Sequence, residues 1–248
     1  MTIEPMTRLG DVRRLAFDTE TTGTDPHEAR IVTAALAARG GGLPDTVTSW
    51  LINPGVPIPS EATAIHGVDN ARAATGVDPA VALDEIADHL AQALLAGMPV
   101  IAFNLSFDWT VLAYELERHR LPSMGERMLD LTEPALLDPH VIDKQVDRYV
   151  KGSGMRKLKP TAERYGVELT DWHTAEADAL AALLITEAQF ERYPQLSAME
   201  PGQLYTAQRA WRAEQQAGLQ AWFRRADPSA EVRGEWPLIP RQKAGEER

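Results

Sequence analysis

Leu15-Ala16-Phe17-Asp18-Thr19-Glu20-Thr21-Thr22-Gly23 is the stretch on which the reading of this chain turns. Three apolar residues give way to alternating acids and hydroxyls and then to glycine, the pattern of a buried strand with polar groups at its exit. A strand alternates its side chains, so Asp18 and Glu20 share one face. Two carboxylates aimed at one spot repel each other unless a cation lies between them. Oxygen ligands with few histidines nearby favour a hard ion such as Mg2+ or Mn2+. The competing reading of such a pair, taken alone, is a solvated acidic strand end.

Outward from this stretch, Ile31 to Ala37 reads as a second strand, Arg39-Gly40-Gly41-Gly42 as a turn and Val47 to Ile52 as a third strand. Together they predict an antiparallel meander. Asn53 to Pro59 is rich in chain breakers, and Ser60 is placed to cap a short helix that Gly67 stops. Val81, Ala82, Ile86, Leu90 and Leu94 have helical spacing over Pro79 to Leu95. Val100 to Phe103 reads as a buried strand, followed by a helix over Phe107 to His119 and a short strand near Met128 to Leu131. Strand–helix–strand order predicts a parallel half after the antiparallel one. A further core helix is expected over Thr174 to Tyr193.

Composition sets broad bounds. The chain has 248 residues, 44% apolar and 25% charged, as in ordinary globular proteins. No apolar run is long enough for a membrane span, and Met1 to Pro5 lacks the pattern of a signal peptide. Without cysteine, disulfides, thiol catalysis and cysteine-ligated zinc are excluded, and the cytoplasm is the expected compartment. A net charge of −11 is unlike the basic footprint of a tight nonspecific DNA binder. It still fits a nuclease whose carboxylates are locally reversed by bound cations. From Lys144 through Tyr165 the balance inverts, with seven basic residues against two acidic ones. That stretch reads equally as a phosphate-facing surface and as a solvated helical face, with Gly152-Ser153-Gly154 as a hinge.

Three motifs in order change the weight of the acidic pair. Phe17 to Gly23 resembles the first motif of the DEDDh, or DnaQ-like, 3′–5′ exonucleases. Asn104-Leu105-Ser106-Phe107-Asp108 resembles the second, and His173-Thr174-Ala175-Glu176-Ala177-Asp178 the third. Each pattern is weak alone; the ordered set is strong. The resemblance runs from about Leu15 to Tyr193. It implies an α/β, RNase H-like fold: a mixed five-stranded sheet flanked by helices. Residues 1–195 would form the exonuclease domain, with 196–248 as a helical C-terminal extension and tail.

The resemblance also implies roles. Asp18, Glu20, Asp108 and Asp178 would hold two Mg2+ ions, with Mn2+ able to substitute, and His173 would be the general base. His173 precedes Asp178 by five residues, about 140° around a continuous helix, so it is expected in the loop entering that helix, with Thr174 as N-cap. Tyr165 lies too far from Asp178 to serve as the tyrosine of the alternative subfamily. Thr21, Thr22, Gly23, Ile65, His66, Asn104 and Phe107 are the expected substrate-binding residues, while Phe103 reads at least equally as core. The implied reaction is stepwise release of nucleoside 5′-monophosphates. The heptad favours DNA, single-stranded or 3′-terminal; RNA and a polymerase partner stay open. A noncatalytic docking module and a nucleotide phosphohydrolase are the rival readings. Trp211 and Trp222, eleven residues apart, are expected to anchor the C-terminal helix on the core.

Overall fold

A computed structural model of the protein describes residues 12–129, 131–168 and 173–241. The start of the chain and the tail beyond Arg241 lie outside the described residues. Strands β1 (Arg14–Thr21), β2 (Ile31–Arg39) and β3 (Thr46–Leu51) form the expected antiparallel meander. Helices α1 (Ser60–His66), α2 (Asn70–Ala73) and α3 (Pro79–Leu95) then lead to β4 (Val100–Ile101), which runs parallel to β1. Helices α4 (Ser106–Arg118) and α5 (Met124–Arg127) precede β5 (Leu136–Leu137), parallel to β4. The rest is helical: α6 (Pro139–Val146), α7 (Leu158–Arg164), α8 (Ala175–Arg192), α9 (Pro194–Ser197) and α10 (Pro201–Phe223). The sheet order β3-β2-β1-β4-β5 puts β1 at the centre.

Strand alternation in β1 sorts its side chains between two cores. Leu15 and Phe17 enter one cluster with Leu83, Ile86 and Leu90 of α3 and with Val111 and Leu112 of α4. Burying a side chain such as Phe17 contributes about 2 kcal/mol. Ala16 faces the other way, against Ala179, Ala182 and Leu183 of α8. Small residues on both partners let α8 lie close to the sheet, and Asp18 and Glu20 continue that same face toward it.

Several local expectations are corrected. Among the described residues of the stretch expected as a strand, Met128, Leu129 and Leu131, none is in a strand; Ser123 and Glu126 make a capping box that starts α5 just before it. Leu129 is exposed with φ 50°, and the fifth strand lies later, at Leu136–Leu137. In α1 the cap position is Pro59 and Ser60 is the first helical residue, although Gly67 ends the helix with φ 73° as expected. Val81 points to solvent, and Leu83 takes its place in the core stripe of α3. In α10, Trp211 packs against both cores but Trp222 is 59% exposed, because the helix outruns the surface it covers. Gly152 and Gly154 form a tight turn with φ 110° and 77°, backbone that favours glycine.

The residues beyond Pro194 pack on the nuclease core. The Gln208 carboxamide accepts from Asp138 N at 2.7 Å and donates to Leu136 O at 2.9 Å, engaging the outer edge of β5. Further on, Ile239 N donates to Thr110 Oγ1 of α4 at 3.0 Å, and Arg241 stacks on Tyr114.

Candidate active site

Three elements deliver the carboxylates. Asp18 and Glu20 sit two apart at the end of β1. Asp178 lies in the first turn of α8, where an acid is favoured by the helix dipole. Thr174 caps that helix, its hydroxyl accepting from Ala177 N at 3.2 Å. One carboxylate oxygen from each of Asp18, Glu20 and Asp178 lies within 4.8 Å of the others.

Asp108 approaches from the opposite side of the strand. Asn104 adopts φ 61°, a left-handed conformation that asparagine tolerates, and turns the chain from β4 into α4. Asp108 then lies in the first turn of α4 and is 4% exposed. Its Oδ1 accepts from Thr19 N at 3.0 Å and from Thr19 Oγ1 at 2.7 Å. Thr19 points away from Asp18 and Glu20 because it lies one residue out of phase with them. The strand thus presents two acids on one face and grips a third from the other. The sequence reading missed Thr19; the only signal for it was its odd register between the two acids.

The electrostatics expose an imbalance. Burial, then repulsion from Asp108, Asp178 and Glu20, pushes the Asp18 carboxyl well above its ordinary range. Burial and the charges of Asp178 and Asp108 raise Glu20 to about 7. Burial raises Asp108 to about 7 against the Thr19 hydrogen bonds, and it raises Asp178 against the His173 backbone and imidazole. Asp178 Oδ1 is buried with no hydrogen-bond partner. Among the described residues, none of these four acids has a Lys or Arg ion-pair partner. All-oxygen donors crowded together, one of them orphaned, fit a hard divalent cation.

His173 is exposed, in the loop immediately before α8, with φ 67°. A left-handed histidine is uncommon and marks a constrained turn. Tyr165 is committed elsewhere: its hydroxyl donates to Asp143 Oδ1 at 3.0 Å.

The expected substrate residues divide. Thr21 donates to Gly23 O at 2.7 Å, and the Thr22 hydroxyl accepts from Arg30 N at 3.0 Å, so both shape the β1–β2 turn. A Cβ at Gly23 would meet nothing within 4 Å, so the chain is open there. Ile65 is 58% exposed, whereas His66 is buried and its Nδ1 accepts from Val68 N at 3.1 Å. Burial lowers the His66 pKa, opposed by the neighbouring Thr21 backbone. Phe107 packs partly on the α3–α4 core, and Asn104 and Phe103 line a cleft beside Asp18 and Asp178.

Sequence reasoning also missed two buried aspartates. Asp138 caps α6, and its Oδ1 accepts from His140 N, Val141 N and Asn104 N. Asp143 is fully buried between Arg156, Arg164 and Tyr165. D-P at a helix start could have flagged Asp138; nothing local flags Asp143.

Comparison with known proteins gives the family and the fold. The family model described as Exonuclease (RNase_T) matches residues 15–186. A DNA polymerase III subunit epsilon-like protein of Rhodobacter capsulatus is 29% identical over 197 residues, covering 77% of this chain and 25% of that protein. The chain therefore spans about a quarter of that relative's length. Exonuclease I from Methylocaldum szegediense superposes with a TM-score of 0.61 at 23% identity, covering 75% of this chain and 42% of the other. Escherichia coli exonuclease I in complex with a dA16 oligonucleotide gives a TM-score of 0.60 at 17% identity, covering 76% and 42%. The fold is RNase H-like, and the chain belongs to the DnaQ-like exonuclease family.

Proposed function

We propose that this protein is a divalent-metal-dependent 3′–5′ exonuclease of the DEDDh type acting on DNA. The observation that carries this reading is the convergence of Asp18, Glu20 and Asp178 within 4.8 Å, with Asp178 Oδ1 buried and unpartnered. Asp18, Glu20 and Asp178 would hold the metal directly, and Asp108, steadied by Thr19, would complete a two-ion set. Mg2+ is the physiological choice for an all-oxygen set, with Mn2+ able to substitute. Once bound, such ions supply charge stabilisation to the attacking and leaving oxygens of an in-line displacement.

The chain's own residues do the rest. His173 takes a proton from the attacking water, as an imidazole near neutral pH can. Its exposed position in a turn before α8 lets it meet substrate from the solvent side. The water oxygen bonds to phosphorus, the bond to the 3′ oxygen of the shortened strand breaks, and that oxygen takes up a proton from solvent while His173 returns its own to solvent. The products are a nucleoside 5′-monophosphate and a new 3′ hydroxyl. Thr21, Thr22 and Gly23, with Ile65 and His66, border the terminal nucleotide; Asn104 and Phe107 flank the next element.

Single-stranded DNA is the proposed substrate, supported by the oligonucleotide-bound fold neighbour and by the heptad at Phe17 to Gly23. Polymerase association is a further proposal, supported by the epsilon-like relative. The matched span, residues 15–186, supports residues 1–195 as the exonuclease unit, followed by 196–248 as a C-terminal extension whose Gln208 braces β5. No described helix is long and apolar enough to cross a membrane.

The test uses 5′-labelled DNA and RNA oligonucleotides with Mg2+ and with EDTA. A ladder shortening from the 3′ end, faster on DNA and abolished by EDTA, is expected. Internal cuts, or full activity in EDTA, would sink the mechanism.

A further inference from the structure

The cleft containing Asp18 and Asp178 has a volume of about 600 Å³, and its other wall carries the opposite charge. His140 and Lys144 are four apart on α6, so they share a helix face, and both line this cleft. Arg156 and Lys157 line it from the turn before α7. Arg156 is fixed in place by Asp143 Oδ2 and Asp147 O, each at 2.5 Å.

This wall has unspent donors. Among the described residues, neither Lys144 nor Lys157 takes part in an ion pair. Burial, then the nearby Arg212, lowers Lys144 to about 8, so cations are crowded here as acids are crowded opposite. Burial and the surrounding cations keep His140 well below its usual pKa, hence neutral, and its buried Nδ1 has no hydrogen-bond partner. The Phe103 ring lies 5.2 Å from the His140 ring and adds an apolar surface. Cations, a neutral donor or acceptor and an aromatic face together suit a nucleotide: phosphate to the first, base to the last.

Position decides which nucleotide. Phe103 follows β4 and His140 follows β5, so this cleft opens on the β4–β5 side of Asp18. Thr21 and His66 lie on the other side, toward β2. With the 3′-terminal nucleotide on the Thr21–His66 side, this cleft offers the rest of the strand a path across α6. We propose that Lys144, with His140, Arg156 and Lys157, forms a subsite for the phosphodiester immediately 5′ of the scissile one, with Phe103 against its base. This inference rests on the exonuclease reading.

The test is a binding cycle with the full chain, read by fluorescence anisotropy with Ca2+ in place of Mg2+. One single-stranded DNA is unmodified. A second carries a neutral methylphosphonate at the linkage next to the scissile one, and a third carries it far upstream. Wild type should bind the second strand about tenfold more weakly, the size of one charged hydrogen bond, and the third almost normally. Lys144→Gln should bind the unmodified strand about tenfold more weakly and be indifferent to the adjacent methylphosphonate. Lys144→Arg should keep the wild-type discrimination. Penalties that multiply in Lys144→Gln, wild-type affinity in that variant, or equal penalties from both modified positions would overturn the subsite. A wild type that degrades the strand yet never discriminates overturns the subsite alone. One that discriminates but releases no nucleotide under Mg2+ overturns the exonuclease reading, and one that binds no strand overturns both.

Discussion

Two groups of acids stand near one cleft, one half-buried and one fully buried, and they are built on opposite terms. Asp143 has its counter-charges supplied by the chain: Arg156 and Arg164 at 2.5 and 2.8 Å, and the Tyr165 hydroxyl. Asp18, Glu20 and Asp178 are pressed together with no such partners among the described residues; burial raises all three pKa values, and repulsion from neighbouring acids adds to the rise at Asp18 and Glu20. A buried acid with internal cations serves the fold, because removing it strands the cations. A half-buried cluster without them is destabilising until something external arrives, which is the mark of a site.

Opposite outcomes for the two groups would confirm that contrast. Asp18→Asn should lower the cleavage rate about 10⁴-fold, while metal-free thermal stability holds or rises because repulsion is relieved. A drop in stability together with retained activity would make Asp18 a structural acid like Asp143. His173→Ala should cost about 10²- to 10³-fold in rate yet keep the Mg2+-induced rise in Tm; losing that rise would place His173 among the ligands instead. Asp143→Asn should cost about 3 kcal/mol in urea unfolding, keep the Mg2+-induced rise in Tm, and lower activity per folded molecule only through the Arg156 that it fixes. If activity vanished while the protein stayed folded, the two groups would not be separable.

The pH dependence follows with a definite sign. Glu20 and Asp108 are raised to about 7, so the native metal-free protein holds protons that the unfolded chain has released. Their contribution to stability is present at acid pH and is lost as pH rises through about 7. Mg2+ should cancel this loss by taking the protons' place; a metal-free protein whose Tm climbs from pH 5 to 8 through these groups would contradict the unbalanced cluster. The smallest effect is expected for Thr19→Val. It removes one of two bonds to Asp108 and should slow cleavage about fivefold, measured on the same oligonucleotide ladder.

What the sequence revealed followed from locality. Asp18 and Glu20 share a strand face by period two, while the resemblance of three short motifs to the DEDDh exonucleases singled out Asp108, His173 and Asp178, each motif lying within one local stretch of chain. The meander and the helix over Pro79 to Leu95 were legible for the same reason. Thr19 meeting Asp108 spans 89 positions, and Arg164 meeting Asp143 spans 21 across a glycine turn. No periodicity encodes such contacts, because they depend on how separate elements pack. β5 was misplaced for a related reason: with only two residues it carries no alternation to detect, while the apolar Met128 and Leu129 imitated one.

Gln208 bears on how copies of this protein behave in each other's company. In the parallel edge strand, Leu136 O and Asp138 N are the groups a sixth strand would engage. The carboxamide of Gln208 takes both, an acceptor to one and a donor to the other, much as a peptide unit of a neighbouring chain would. The amide also bonds to Leu204 O of its own helix, which holds it in register. One side chain thus counterfeits a missing strand, and a helix that contributes no acid to the chemistry covers the β5 edge of the sheet against templated self-assembly.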